Sequence, residues 1–231
     1  MKSISISQTV SCHICPVRFY LELNEKNREE PENYTIAKQI SYHLGEDAGR
    51  GGSLEDKIWD EIKTVNPEID DSLYETCRTW IQACRGNSWR KASENDVKVS
   101  SKKYNLYGVA DRFFETAPHI ALMRMTPAPE TGVYNADRVR CALFSICAKE
   151  SLHVDADEII VEYVPSGVHR ICRVSPRDRR EALAALKKAG RIAAGTVPMP
   201  RRTERCSTCY LKERCIDAPR KLSDIMRHRE M

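Results

Sequence analysis

Three cysteines near the end of the chain constrain its fold more than any other feature of the sequence. The stretch RCSTCYLKERC (205–215) has the spacing C-x2-C-x5-C, formed by Cys206, Cys209 and Cys215. Two thiolates at C-x-x-C spacing can hold one metal centre, and a closed structural site usually has four protein ligands. The stretch is therefore one ligand short, and the fold has to bring the fourth ligand from another part of the chain.

Candidates for the fourth ligand lie close to the start of the chain, in SCHICPVRFY (11–20). Cys15 precedes a proline, and the helix predicted after it would hold the side chain firmly, whereas Cys12 competes with it and His13 is a weaker alternative. Zinc and a [4Fe–4S] cluster both accept four thiolates, so the spacing alone leaves the metal open. With any of these ligands, the metal would join the two ends of the chain.

The charge of the chain is unevenly distributed. The 231 residues carry a net charge of +4, but residues 165–231 contain 17 Lys and Arg against 7 Asp and Glu. Such a basic C-terminal third predicts a polyanionic partner, above all nucleic acid, and the simpler alternative is a solvated helix face.

The N-terminal segment and the hydropathy of the chain predict its compartment. MKSISISQTV is polar and does not resemble a signal peptide, and no apolar stretch approaches the length of a membrane span. We therefore expect a cytoplasmic protein without a membrane partner. Ten cysteines in such a chain favour metal ligands and buried thiols over disulfides.

Hydrophobic periodicity predicts helices first and then strands that alternate with helices. Helical patterns cover residues 15–26, 34–45, 53–65, 72–86, 134–152 and 175–195. Strand patterns cover residues 96–115 and 119–125, as three strands, and 158–174, as a hairpin around Ser166-Gly167. This order predicts an α/β domain with a central mixed sheet. Five cysteines outside the metal site are predicted to be buried thiols: Cys77, Cys84, Cys141, Cys147 and Cys172.

Two segments, CPVRFYLEL near the start and RCSTCYLKERC near the end, resemble the two halves of the iron–sulfur module of the CRISPR-associated Cas-four exonuclease family. The resemblance covers nearly the whole chain and includes the order of its elements. It implies one domain with a PD-(D/E)xK restriction-endonuclease-like core. The implied segments are an N-terminal helix with the first ligand (1–30), a helical insertion (31–95), the core (96–195), and a cysteine module with a basic tail (196–231). It also implies a [4Fe–4S] cluster bound by Cys15, Cys206, Cys209 and Cys215, with Cys12 as a spare thiol.

The catalytic motifs of that family are only partly present. GVAD (108–111) matches the family's G-x-x-D strand and implies that Asp111 is a metal ligand. The next strand should carry E-x-K or D-x-K, but LMRMTP (122–127) has Met123 and Met125 at those positions. Mg²⁺ and Mn²⁺ require hard oxygen ligands, and methionine has neither such an oxygen nor the charge of lysine. We expect weak metal binding at Asp111 and no normal nuclease activity.

The helical motifs of the family are also incomplete. The helix that should read D-x-x-Q-x-x-x-Y keeps Asp137 but has Arg140 and Phe144 in place of the glutamine and the tyrosine. A helical histidine usually completes the family's metal site, and His43 is the nearest candidate, without the usual G-x-x-x-H-E surroundings. These departures agree with the loss of the acid and the lysine from the strand.

Three hypotheses about function follow. The first is a cluster-bearing domain without normal nuclease activity that binds DNA non-specifically, or binds a CRISPR-adaptation complex. The second is an inactive scaffold subunit of another complex with no role in DNA binding. The third is an active metal-dependent DNA exonuclease with atypical ligands, for instance Glu115 or Glu130. The basic residues predicted to form a DNA-tracking groove are Arg177, Arg179, Arg180, Lys187, Lys188, Arg191, Arg201, Arg202 and Arg205.

Overall fold

A mixed β-sheet forms the centre of the molecule in a computed structural model that describes residues 3–23, 30–46 and 53–216. Its six strands are β1 (Ile4–Ser5), β2 (Glu94–Ser101), β3 (Leu106–Phe113), β4 (Ile120–Arg124), β5 (Glu158–Tyr163) and β6 (Val168–Arg173). Five of them follow the order β1-β3-β4-β5-β6, and β2 pairs with β3. The predicted α/β class with a mixed sheet is confirmed, and β1 is a strand that the sequence analysis did not predict.

Strand β3 organises the sheet because it pairs with three other strands. Strand β2 runs antiparallel along its whole length. On the other edge, β1 pairs parallel with the start of β3, and β4 pairs antiparallel with its end. Strand β4 is parallel to β5, and β5 and β6 form the predicted hairpin through Val164–Ser166 and Gly167. The candidate ligand Asp111 is therefore held in the most extensively paired strand.

Helices cover both faces of this sheet. They are α1 (Ile6–Ile14), α2 (Pro16–Glu22), α3 (Glu32–His43), α4 (Leu54–Val65), α5 (Tyr74–Arg85), α6 (Asn135–Ser151), α7 (Pro176–Ala193) and α8 (Lys212–Ile216). One core cluster unites α1, α6 and α7 with the side chains of Leu122 and Val161. A second unites α3, α4 and α5 with Met123. Since neighbouring residues of a strand point to opposite faces, these clusters are two separate layers.

The N-terminal segment, which looked merely polar in the sequence, forms β1 and α1. Ser5 caps α1, because its hydroxyl accepts a hydrogen bond from the Gln8 amide at 3.0 Å and the Gln8 side chain accepts one from the Ser5 amide. Thr9 and Ser11 are buried, and their hydroxyls donate to Ser5 and Glu22. The polar residues of this segment are therefore satisfied inside the fold.

The cysteines outside the predicted metal site are free thiols in the core. All five that the sequence assigned to the core are buried, which confirms that prediction. None of the described helices is long and apolar enough to cross a membrane. Part of the predicted helix 15–26 and much of the tail 196–231 fall outside the described residues.

Candidate functional site

A cavity of about 550 Å³ lies between the start of α2 and residues 200–215. Its lining includes all four cysteines that the resemblance implied as ligands, namely Cys15, Cys206, Cys209 and Cys215. Cys15 immediately precedes α2, and Cys215 belongs to α8. The fold thus brings the start of the chain to the late cysteine stretch, as the missing fourth ligand required.

Backbone amides point at two of these sulfur atoms. The Cys15 side chain caps α2, with the Arg18 amide nitrogen 3.5 Å from its Sγ, and Pro16 sets the first turn of the helix. The Thr203 amide nitrogen lies 3.4 Å from the Cys206 Sγ, and hydrogen bonds from Thr203 lower the pKa of the Cys206 thiol. At Cys206 these donors favour the thiolate, which is the form that binds metals.

The Cys215 thiol is close enough to the other three cysteines for their negative charges to affect it. The pKa of the Cys215 thiol is raised first by burial and then by the proximity of Cys15, Cys206 and Cys209. A cationic centre would relieve this repulsion. Among the described residues, however, no group of three or more His, Cys, Asp or Glu side chains is arranged to hold a single metal ion.

The two competitors of Cys15 lie elsewhere. Cys12 is buried in the layer of α1, α6 and α7, and burial raises the pKa of its thiol to about 11. His13 lies 3.3 Å from the Asn135 side-chain amide, measured from its Nε2 atom. Neither lines the cysteine cavity, so Cys15 is the candidate that the geometry favours.

Contacts between side chains also fasten α2 to the late cysteine stretch. The Tyr210 hydroxyl donates to the Glu22 carboxylate at 2.5 Å, and the Arg18 guanidinium lies 5.2 Å from the centre of the Tyr210 ring. Arg18 also pairs with Glu22 at 2.7 Å. The two walls of the cavity are therefore connected by protein contacts as well as by the four cysteines.

A second cavity, of about 350 Å³, surrounds Asp111. The Lys38 ammonium, from α3, lies 2.5 Å from the Asp111 Oδ1 atom and 2.5 Å from the Asp96 Oδ1 atom. The other Asp111 oxygen accepts a hydrogen bond from the Met123 amide at 2.8 Å. The Tyr42 hydroxyl donates to Asp96. Asp111 is thus the centre of a polar site, but a lysine is already bound to it.

Sequence reasoning missed both Lys38 and Asp96. Asp96 stands across from Asp111 because the pairs on either side of it, Asn95 with Arg112 and Val97 with Ala110, are in register. Lys38 is separated from both by more than fifty residues. No local motif marks either residue, and only the pairing of β2 with β3 could have placed the two carboxylates together.

The strand that should carry the catalytic acid and lysine is packed into the core. Met123 is only 5% exposed and belongs to the layer of α3, α4 and α5, against which Met125 also packs. Its neighbour in register on β5 is Glu162. That carboxylate lies 2.5 Å from the Arg112 guanidinium, and both side chains are buried. The acid that pairs in register with Met123 is therefore bound to an arginine.

The remaining candidates for metal binding do not line the Asp111 cavity. His43 lies between two carboxylates, 2.8 Å from Glu46 and 2.7 Å from Glu61. Glu115 and Glu130, the alternative acids, are exposed. The structure therefore brings Asp111 together with Lys38 and Asp96 and not with these three residues.

Helix α6 directs Asp137 and Arg140 to buried contacts with each other and with residues of β4 and β5. Asp137 is buried, accepts a hydrogen bond from the Tyr163 hydroxyl at 2.8 Å and pairs with Arg124 at 2.8 Å. Arg140 lies 3.9 Å from the same carboxylate. Burial, and then the nearby Arg124, lower the pKa of Arg140 to about 10. Phe144 is buried in the core.

Most of the basic residues of α7 and of the cysteine stretch are exposed. Arg180, Lys187, Lys188, Arg191, Arg201, Arg202 and Arg205 are exposed. Burial lowers the pKa of His13, and both Arg205 and Lys188 lower it further, against the influence of Glu181. Lys188 and Arg205 therefore approach the same histidine, although one is on α7 and the other is beside the cysteines. Two other candidates are paired, Arg177 with Glu181 and Arg179 with Asp157.

The fold and the two cavities define an α/β protein with a cysteine-lined site at one place and a lysine–carboxylate site at another. A comparison with known protein families gives no match to this chain, and no curated protein is significantly similar to it. Its function has to be argued from its own residues.

Proposed function

We propose that the protein is an iron–sulfur protein with a PD-(D/E)xK nuclease-like core that binds DNA without sequence specificity and lacks normal nuclease activity. The observation that carries this proposal is the cavity that Cys15 shares with the three late cysteines. The family resemblance implied these four residues as the ligands of a [4Fe–4S] cluster. Four thiolates leave no open position for chemistry, so the cluster would have a structural role.

By donor type, the four cysteines suit either a [4Fe–4S] cluster or one zinc ion. All four line one cavity of about 550 Å³. The resemblance of CPVRFYLEL and RCSTCYLKERC to an iron–sulfur module is what favours the cluster over zinc. The hydrogen bonds from Thr203 lower the pKa of the Cys206 thiol and so favour its thiolate form.

The loss of nuclease activity is supported by the state of the Asp111 site. The two positions that should supply an acid and a lysine are methionines packed against the core. Asp111 itself is paired with Lys38. Because hydrolysis of a phosphodiester relies on metal ions held by oxygen ligands, the transition state would lack its main electrostatic stabilisation.

The cluster is tested by purifying the protein without oxygen and measuring iron, acid-labile sulfide, zinc and visible absorption. We expect about four iron and four sulfide per chain and a brown protein. Cys15→Ser should lose most of the iron, and the matched variant Cys12→Ser should keep it, because Cys12 is buried in the core away from the cavity. Stoichiometric zinc in a colourless protein would overturn the iron–sulfur assignment.

DNA binding and cleavage are tested with the cluster-loaded protein. Labelled single-stranded DNA should be shifted at low salt and released as the salt concentration rises. With Mn²⁺ present, the DNA should stay intact. Cleavage that Asp111→Ala abolishes would instead establish an active nuclease, and a complete absence of binding at low salt would favour the scaffold alternative.

A further inference from the structure

The contacts of Lys38 differ from those of an ordinary surface lysine. Its ammonium lies 2.5 Å from one oxygen of Asp96 and 2.5 Å from one oxygen of Asp111, and its side chain is only 13% exposed. The two carboxylates come from paired strands, and both contact the same nitrogen donor. Burial alone would lower the pKa of Lys38, but the Asp111 carboxylate raises it, so the group stays charged.

We infer that the Lys38 ammonium occupies the position of a divalent cation, and that its removal would uncover a Mn²⁺-binding or Mg²⁺-binding site formed by Asp96 and Asp111. This inference deepens the proposed function and rests on it, since it names the residue that blocks the metal site of an inactive nuclease-like core. Lys38 and Asp96 are residues that the sequence motifs did not indicate, whereas Asp111 belongs to the G-x-x-D match.

Geometry supports the exchange of one cation for another. Two oxygens that each lie 2.5 Å from one nitrogen are at most about 5 Å apart, which is close to the separation of two oxygens bound to one divalent ion. Small side-chain movements would bring them to the metal–oxygen distances of about 2.0–2.6 Å found in Mg²⁺ and Ca²⁺ sites. The surrounding cavity of about 350 Å³ has space for the water ligands that such ions keep.

Charge supports the exchange as well. One ammonium leaves the pair of carboxylates with a net charge of −1, whereas a divalent ion would neutralise them completely. The Asp111 carboxylate is also held in place by the Met123 amide. Asp96 has a φ of +57°, a left-handed conformation that is uncommon outside glycine, although aspartate tolerates it. The Asp96 carboxylate accepts a hydrogen bond from the Tyr42 hydroxyl, so each carboxylate has a partner besides Lys38.

In the wild-type protein, a metal ion has to displace this internal ion pair. Lys38 is joined covalently to α3, so its effective concentration at the carboxylates is high and added Mn²⁺ competes poorly. Lys38→Met removes the charge and keeps an unbranched side chain that can pack in the cavity. Lys38→Arg keeps a cation next to the carboxylates and is the matched control.

The experiment measures Mn²⁺ binding to the cluster-loaded protein by the loss of the free Mn²⁺ signal in electron paramagnetic resonance. We expect Lys38→Met to bind one more Mn²⁺ per chain than wild type and Lys38→Arg to bind no more. The affinity gained should be about tenfold or greater, equivalent to about 1.4 kcal/mol. Adding Asp111→Asn to Lys38→Met should abolish the gain. Mn²⁺ should also raise the melting temperature of Lys38→Met and not that of wild type.

Two results would overturn the inference: no additional Mn²⁺ bound by Lys38→Met, or an additional Mn²⁺ that survives Asp111→Asn. If Lys38→Met does not fold, Lys38→Gln provides the same test with a polar side chain. Failure of the inference and failure of the proposed function are distinguishable. Wild-type cleavage of DNA with Mn²⁺ contradicts the inactive core, whereas the metal count of the Lys38 variants decides the role of the lysine.

Discussion

At the scale of single residues, the pair of Arg112 and Glu162 is the most deeply buried charged contact of the described residues. The exposed fractions of the two side chains are 0% and 2%. Arg112 also donates to the backbone carbonyls of Leu44 and Arg90, which connects β3 to the end of α3 and to the segment before β2. A pair of this kind is costly to break, because removing one partner leaves the other charge in the core.

The pH dependence of stability follows from Glu162. Burial raises the pKa of Glu162 to about 7, although Arg112 opposes the shift. The folded state therefore holds a proton that the unfolded state releases at lower pH. The free energy of unfolding should fall as pH rises from about 4.5 to about 7, with a slope of up to about 1.4 kcal/mol per pH unit from this group.

Urea unfolding at several pH values measures this contribution. Glu162→Gln should show a flatter profile than wild type over that range. Glu158→Gln is the control, because Glu158 lies on the same strand with a side chain that is 43% exposed and paired with Arg173, and this variant should keep the fall in stability that Glu162 causes. Parallel profiles for wild type and Glu162→Gln would contradict the raised pKa.

Met123 allows a second prediction at this scale. Met123→Leu keeps an apolar side chain of similar volume and should cost less than about 1.5 kcal/mol of unfolding free energy. Met123→Glu restores the acid of the nuclease motif but buries a carboxylate beside Glu162, and should cost about 3 kcal/mol or more. Equal stabilities of the two variants would show that the position is not part of the core.

At the scale of elements, most helices and strands could be predicted from hydrophobic periodicity. Helices α4 and α5 begin and end within two residues of the predicted spans, and the strands at 96–125 are present as predicted. Helix α1 could not be predicted, because its buried face includes Thr9 and Ser11, whose hydroxyls are satisfied only by contacts made in the folded chain. Periodicity detects apolar side chains and does not detect buried polar ones.

The turn between β5 and β6 provides a prediction about how elements pack. Gly167 has a φ of +59°, and a Cβ atom added there would lie 2.1 Å from the Ala83 carbonyl oxygen of α5. Gly132 has a similar φ of +61° but nothing within 4 Å. Gly132→Ala should therefore lower the free energy of unfolding by about 1 kcal/mol, which is the effect of the left-handed conformation alone. Gly167→Ala should cost clearly more, because α5 has to move away from the hairpin.

Thermal unfolding of the two alanine variants distinguishes the cost of a left-handed backbone, present in both, from the cost of the steric contact with α5, present only in Gly167→Ala. The melting temperature of Gly132→Ala should be a few degrees below that of wild type, and the melting temperature of Gly167→Ala should be lower still. If both fall equally, the close approach of α5 to Gly167 is not maintained in solution.

At the scale of the whole molecule, the sequence indicated which cysteines lie together better than it indicated which charged residues lie together. The C-x2-C-x5-C spacing and the family resemblance named four cysteines, and the structure brings these four to one cavity. Lys38 and Asp96 are charged residues among many, and their contact with Asp111 depends on how α3 packs on the sheet and how β2 pairs with β3. That information is contained in the tertiary structure and not in any local pattern.

The uneven charge of the chain leads to the prediction that DNA binds on the side of α7. Lys187 is exposed on α7, which packs with α1 and α6 on one face of the sheet. Lys57 is exposed on α4, which packs on the other face. Lys187→Glu and Lys57→Glu therefore change the net charge equally but at opposite layers.

Fluorescence anisotropy of labelled single-stranded DNA, measured over a range of salt concentrations, distinguishes the two surfaces. Lys187→Glu should weaken binding at low salt and reduce the slope of log K against log salt by about one, because one phosphate contact and its released counterion are lost. Lys57→Glu should leave the slope unchanged, because its only effect is on the long-range field, which salt screens within about 10 Å at 0.1 M. If the two variants lose the same amount of DNA affinity, the net charge of the protein attracts the DNA, and a specific surface formed by α7 does not.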